Sequence, residues 1–136
     1  MRAVLDTNVV VSAILIPRGK ERRILDAWRR GAFDIVTAPA LLEELARVLS
    51  YPKIRERRWM SDAELRELLE GLSEGSIVVS GDLDVRAGRD ANDNMFLGAA
   101  VEGDADYLVT GDHDLLVLRS YRRVEIVRPA AILRAF

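Results

Sequence analysis

Four acidic side chains in this sequence stand where a carboxylate is expensive. Asp6 ends the short apolar run Val4-Leu5, and after Asp6-Thr7-Asn8 the apolar residues resume at once, from Val9-Val10-Val11 to Ile16. A lone carboxylate inside such a stretch is strongly disfavoured unless it finds a partner. Asp93 precedes Phe96, Leu97, Ala100 and Val101, and helical projection sets it near the middle of that apolar face. Glu44 lies at the edge of the stripe Leu41, Leu42, Leu45, Val48 and Leu49, whereas Glu43 falls opposite it. Asp112 follows the apolar run Tyr107-Leu108-Val109 in Thr110-Gly111-Asp112-His113-Asp114. Simpler roles stand beside these: a helix N-cap at Asp90 or Asp93, and an ion pair between Glu44 and Arg47.

Three or four carboxylates gathered at one place raise one another's pKa and destabilise the fold. A divalent cation removes the problem. The chain has no cysteine and a single histidine, His113, which excludes disulfides, thiolate metal sites and the multi-histidine sites of catalytic zinc. An all-oxygen set points to Mg²⁺ or Mn²⁺, and such an ion suits hydrolysis of a phosphodiester. No Ser-His-Asp or Cys-His set and no phosphate-cradling glycine loop is present. A haloacid-dehalogenase-type phosphatase needs a second aspartate two positions after its nucleophile, where this chain has Asn8. A receiver domain needs a late lysine, and the lysines here are Lys20 and Lys53.

The elements that must position these acids can be read from pattern. Ala3–Leu5, Phe33–Val36, Ile77–Val79, Tyr107–Val109 and Val124–Val127 read as strands. Val9–Leu15 reads as a helix capped by Thr7 or Asn8. A second helix starts at Lys20 and stops at Gly31, and a third starts at Pro39. Ser61 and Glu64 form a capping-box pattern for a fourth, ending near Gly71 or Gly75. Gly81–Gly88 reads as a loop, a helix carrying Asp93 on its apolar face follows, and Pro129–Phe136 reads as a closing helix. Strands alternating with helices imply an α/β fold, a mainly parallel sheet with helices on both faces. In such sheets ligands bind outside the carboxyl ends of the strands. Asp6 and Asp112 both belong to that edge.

The length is that of one domain, residues 1–136. Charge is unevenly spread: Asp82–Asp114 holds nine acids and two bases, while the remainder carries 18 bases and 13 acids. An acidic pocket in a basic surround suits an enzyme acting on a polyanion, and solvated faces give a similar split. Lys53, Arg55 and Arg57, with Tyr51 and Trp59 at either end, fit a nucleic-acid surface or an amphipathic surface helix. Arg18, Lys20 and Arg22 are further candidates for holding phosphates. The N-terminal apolar run is interrupted by Asp6 and Asn8 and lacks a small-residue cleavage site. No run approaches the ~20 apolar residues of a membrane span, so the expected location is cytoplasmic.

At these residues the sequence resembles the PIN-domain family, and within it the bacterial and archaeal branch of VapC-like toxins of toxin–antitoxin pairs. The resemblance covers essentially the whole chain. It rests on Leu5-Asp6-Thr7-Asn8, Leu42-Glu43-Glu44-Leu45 with Tyr51-Pro52-Lys53, Arg89-Asp90 through Asp93-Asn94-Met95-Phe96-Leu97, and Ala105-Asp106-Tyr107-Leu108-Val109-Thr110-Gly111-Asp112 with Asp114-Leu115-Leu116. It implies a Mg²⁺- or Mn²⁺-dependent endoribonuclease on a three-layer α/β/α sandwich with four to five strands. Such proteins are often dimeric and are silenced by a small antitoxin. The family's acidic positions fall on Asp6, Glu44, Asp93 and Asp112, and its supporting polar positions on Asn8, Thr110 and Asp114, with Asp90 commonly acidic. The branch usually has proline after the Arg-Asp pair, where this chain has Ala91, which bears on the rigidity of that loop. The alternative is a catalytically weak or inactive PIN-like module that binds RNA or a protein partner.

Overall fold

The strand and helix signals resolve into a three-layer α/β/α arrangement in the computed structural model, which describes residues 1–136. The strands are β1 (Arg2–Leu5), β2 (Asp34–Thr37), β3 (Ile77–Val78), β4 (Tyr107–Val109), β5 (Ser120–Tyr121) and β6 (Val124–Val127). The helices are α1 (Thr7–Leu15), α2 (Lys20–Arg29), α3 (Pro39–Leu49), α4 (Pro52–Arg57), α5 (Asp62–Gly75), α6 (Ala91–Glu102), α7 (His113–Leu116) and α8 (Pro129–Leu133). No helix is long and apolar enough to cross a membrane.

The sheet order is β3-β2-β1-β4-β6-β5, with every pairing parallel except β5 with β6. All five expected strands are present. The sixth, β5, is two residues long and leaves no readable period. The chain moves outward from β1 to β2 and β3, then returns through α6 to β4 on the other flank of β1. A topological switch point therefore falls between β1 and β4, the crevice where open α/β sheets place ligands.

Side chains alternate across the sheet as strand geometry requires. Ala3, Leu5, Ile35 and Val109 join one core with α1, α2, α5 and α8. Val4, Val36, Leu108 and Ile126 join the other with α6 and α7. Trp28 lies against α5, where Gly71 and Gly75 leave room for its ring. Phe136 stacks on Phe33 at 4.8 Å between centroids, so both aromatics belong to intramolecular packing.

Local chemistry sets the helix ends. Pro39 sits in the first turn of α3, Ser61 accepts from the Glu64 N–H at 3.1 Å, and Gly31 takes the left-handed conformation just past α2. One expected cap is corrected. The N-cap of α1 is Asp6, whose Oδ1 accepts from the Asn8 N–H at 3.4 Å; neither Thr7 nor Asn8 does the job. Helix α1 starts two residues earlier than the apolar pattern alone indicates, because the polar Thr7 and Asn8 are helical.

Candidate active site

The carboxyl ends of β1 and β4 carry Asp6 and Thr110 side by side. Asp6 is 6 % exposed and Thr110 fully buried. The Thr110 hydroxyl donates to Asp6 Oδ2 at 2.6 Å, and its oxygen accepts from the Asp112 N–H at 2.9 Å. One threonine thus fixes two acids of the edge relative to each other. Asp112 in turn caps the short α7, accepting from the Asp114 N–H at 3.0 Å.

Glu44 reaches the same edge from α3, with both oxygens engaged. Oε2 accepts from the Thr7 hydroxyl at 2.6 Å and Oε1 from the Asn92 amide at 2.9 Å. Arg47 lies 3.8 Å from Oε1. The cleft-facing and ion-paired readings of this glutamate are therefore both met. Direct hydrogen bonds come from Thr7 and Asn92, and the arginine stands further off.

Asp93 enters in the first turn of α6, capped by Asp90, whose Oδ1 accepts from the Asp93 N–H at 2.9 Å. Asp93 is only 3 % exposed, and its Oδ2 is buried without a hydrogen-bond partner. The chain is tight around it. Gly88 donates its N–H to Asn94 Oδ1 at 2.7 Å, and a Cβ at Gly88 would come within 2.5 Å of the Asp93 Cβ.

Electrostatics follow from this packing. Burial pushes the Asp6 carboxyl above the usual carboxylate range. Hydrogen bonds from Thr110 and the Asn8 N–H pull it back, and the charges of Asp112 and Glu44 push it up again. Asp93 is raised from 3.8 to about 6, first by burial, then by the charges of Asp90, Asp112 and Asp114. Like charges and an orphaned oxygen persist here in a fold that satisfies nearly every other buried polar atom.

The donor set fits a hard divalent cation: carboxylate oxygens only, one of them buried and without a donor. As the side chains stand, no three acids converge on one metal-sized point. Mutually repelling carboxylates have no reason to close up without a positive charge between them. Asp6, Asp93 and Asp112, with Glu44 beside them, are the acids whose charges meet at this edge.

Of the supporting residues, Thr110 and Asp114 lie in this network, and Asp90 is the exposed cap of α6. The Asn8 side chain is exposed and makes no hydrogen bond; only its backbone N–H serves Asp6. Among the candidate phosphate holders, Arg22 pairs with Asp26 at 3.1 Å and lies 4.6 Å over the Trp59 ring. Arg18, Lys20, Lys53, Arg55 and Arg57 are exposed. Reading the sequence missed Asn92, Thr7 as a partner of Glu44, and Gly88. Asn92 sits one residue before Asp93, so its place at the site was the one signal available.

An acid-lined sheet edge at the switch point of an α/β/α fold defines the class. A family model described as PIN domain matches residues 2–114, which include every acid of the site. The chain belongs to the PIN-domain family. An uncharacterized protein of Methanocaldococcus jannaschii, MJ1680, is 31% identical over 119 residues, covering 88% of this chain and 76% of that protein. A chain in the crystal structure of VapBC2 from Rickettsia felis, bound to a DNA fragment from their promoter, shares the fold. Its TM-score is 0.61 at 17% identity, over 94% of this chain and 98% of that one.

Proposed function

We propose that the protein is a Mg²⁺- or Mn²⁺-dependent endoribonuclease and the toxin of a toxin–antitoxin pair. The observation that carries the reading is Asp93: a buried carboxylate with an orphaned oxygen, crowded by other acids at the switch point. Membership of the PIN-domain family supports nuclease chemistry. The likeness to VapBC2 supports an antitoxin as partner.

When bound, a divalent ion at Asp6, Asp93 and Asp112 supplies Lewis acidity toward a phosphodiester and the water that attacks it. The protein's own groups do the rest. Thr110 holds Asp6 and Asp112 in register, the outer-shell task that keeps a ligand oriented. Thr7 and Asn92 hold Glu44 by one oxygen each, so its carboxylate faces the crevice in one orientation and can align the attacking water. The proposed setting is cytoplasmic, with RNA as substrate and a homodimer as the working form.

The test is Asp6→Ala, assayed for Mn²⁺-dependent cleavage of RNA. Cleavage should fall to background while far-UV circular dichroism and the cooperative melt are retained. Losing the cap costs about 0.5–2 kcal/mol, and losing a crowded charge offsets it. A variant that cuts RNA as well as wild type would sink the assignment.

A further inference from the structure

An acidic edge repels the polyanion it is meant to cut, so cations must stand beside it. Five ion pairs tie the surface of this protein, and two of them reach the acids of the site: Arg47 with Glu44 and Arg89 with Asp114, each at 3.8 Å. Building on the nuclease reading, we infer that Arg47 and Arg89 are the phosphate grips of the site, resting on its outer carboxylates in the free protein and turning onto the nucleic-acid backbone when it enters.

Three observations support the assignment. First, both arginines are loosely held: their side chains are 62% and 81% exposed, and 3.8 Å is an ion pair without a hydrogen bond. Such exposed pairs contribute little, so releasing them costs little, whereas a guanidinium can meet a phosphate with two charge-assisted hydrogen bonds. Second, Glu44 does not depend on Arg47. Its oxygens already accept from Thr7 at 2.6 Å and Asn92 at 2.9 Å, and it keeps its place when the arginine leaves. Third, the two approach from different elements, α3 and the loop before α6, to acids placed by β2–α3 and by β4–α7.

The other exposed bases are less well placed. Asp6 caps the start of helix α1, and Arg18 and Lys20 lie past its far end, roughly 13 Å away along a nine-residue helix. Lys53, Arg55 and Arg57 likewise follow the far end of α3. They suit an outer rim rather than the phosphates next to the cut bond.

The experiment compares wild type, Arg47→Gln, Arg89→Gln and the double variant on a single-stranded RNA oligonucleotide with Mn²⁺. Each single change should raise KM about tenfold with kcat within about twofold, and should flatten the slope of log(kcat/KM) against log salt by about 0.7. Mn²⁺ affinity, titrated calorimetrically without RNA, should not weaken. Unchanged KM in an active enzyme overturns this inference alone. So does a severalfold loss of Mn²⁺ affinity, which would make the arginines props for the acids. If wild type does not cleave, fluorescence anisotropy of the same oligonucleotide decides separately. Arginine-dependent binding then upholds the grips while the nuclease reading fails, and binding indifferent to both arginines overturns them.

Discussion

Helix α6 carries an acid near each end, and the fold treats them in opposite ways. Asp93, in the first turn, is buried, has an oxygen with no donor, and is held up to about 6. Glu102, the last residue, is exposed; the Ser80 N–H and hydroxyl both donate to its Oε2 at 2.7 Å, and it is pushed below the usual range by these bonds. The helix macrodipole predicts the reverse, since it favours negative charge at the N-terminus and disfavours it at the C-terminus. Local burial and the supply of donors therefore outweigh the dipole at both ends. The lesson concerns purpose. An acid that ties down a loop is given its donors, and the acid at the sheet edge keeps an oxygen without one, as the proposed metal site requires.

The sharpest way to break this contrast is Asp93→Asn. RNA cleavage should fall to background, yet the ion-free protein should become more stable at pH 7, by about 1–3 kcal/mol, because the neutral amide sheds a charge that burial and three neighbouring acids disfavour. The folded pKa of Asp93 lies above its unfolded value, so the native state holds the extra proton, and wild type loses stability as pH rises from 3.8 to about 6. Thermal melts in chelator should show the gap in favour of the variant opening across that window. A variant less stable than wild type at pH 7, or a gap indifferent to pH, would remove the idea that Asp93 is frustrated.

Asp6 is intermediate between the two cases, because one hydroxyl serves it. Thr110→Val keeps the shape and removes that hydroxyl, turning Asp6 toward the condition of Asp93. Activity should drop 10- to 100-fold, the usual cost of losing an outer-shell partner, with Mn²⁺ titration showing weaker binding. Unchanged Mn²⁺ affinity would mean that Thr110 is mere packing.

The smallest effect belongs to Glu102→Gln. Its folded pKa is lowered, so its contribution is present above the unfolded value and is lost as pH falls through the folded one. Wild type should melt slightly above the variant at pH 7, with the gap closing in acid and RNA cleavage unaltered. A loss of cleavage here would show that the Ser80 anchor shapes the crevice, and would weaken the division between the two ends.

Much of the site was legible because burying acids leaves a mark in one dimension. Asp6 interrupts an apolar run, and Asp93 occupies the inner face of an amphipathic pattern. Their placement in the structure, at 6 % and 3 % exposure, is the outcome those patterns describe. Local capping was legible for the same reason at Ser61, Pro39 and Gly31, where the chemistry involves neighbours in sequence. The cap of α1 was not, since Asp6 competes there with Thr7 and Asn8, and only the turn of the chain decides which side chain meets the free N–H.

What the sequence determined by itself, then, was the alternation of strands and helices and the identity of the crowded acids, because both depend on hydrophobic period. Which group answers which acid was left to tertiary structure. Thr7 with Glu44, Asn92 with Glu44, and Thr110 with Asp6 join residues 37, 48 and 104 positions apart. Arg22 lies over Trp59, 37 positions on, and Arg89 meets Asp114 only because α7 brings it alongside. No local pattern encodes such pairings. Thr110 with Asp6 follows from the crossover that returns the chain to the far flank of β1, and Thr7 with Glu44 from the packing of α1 on α3.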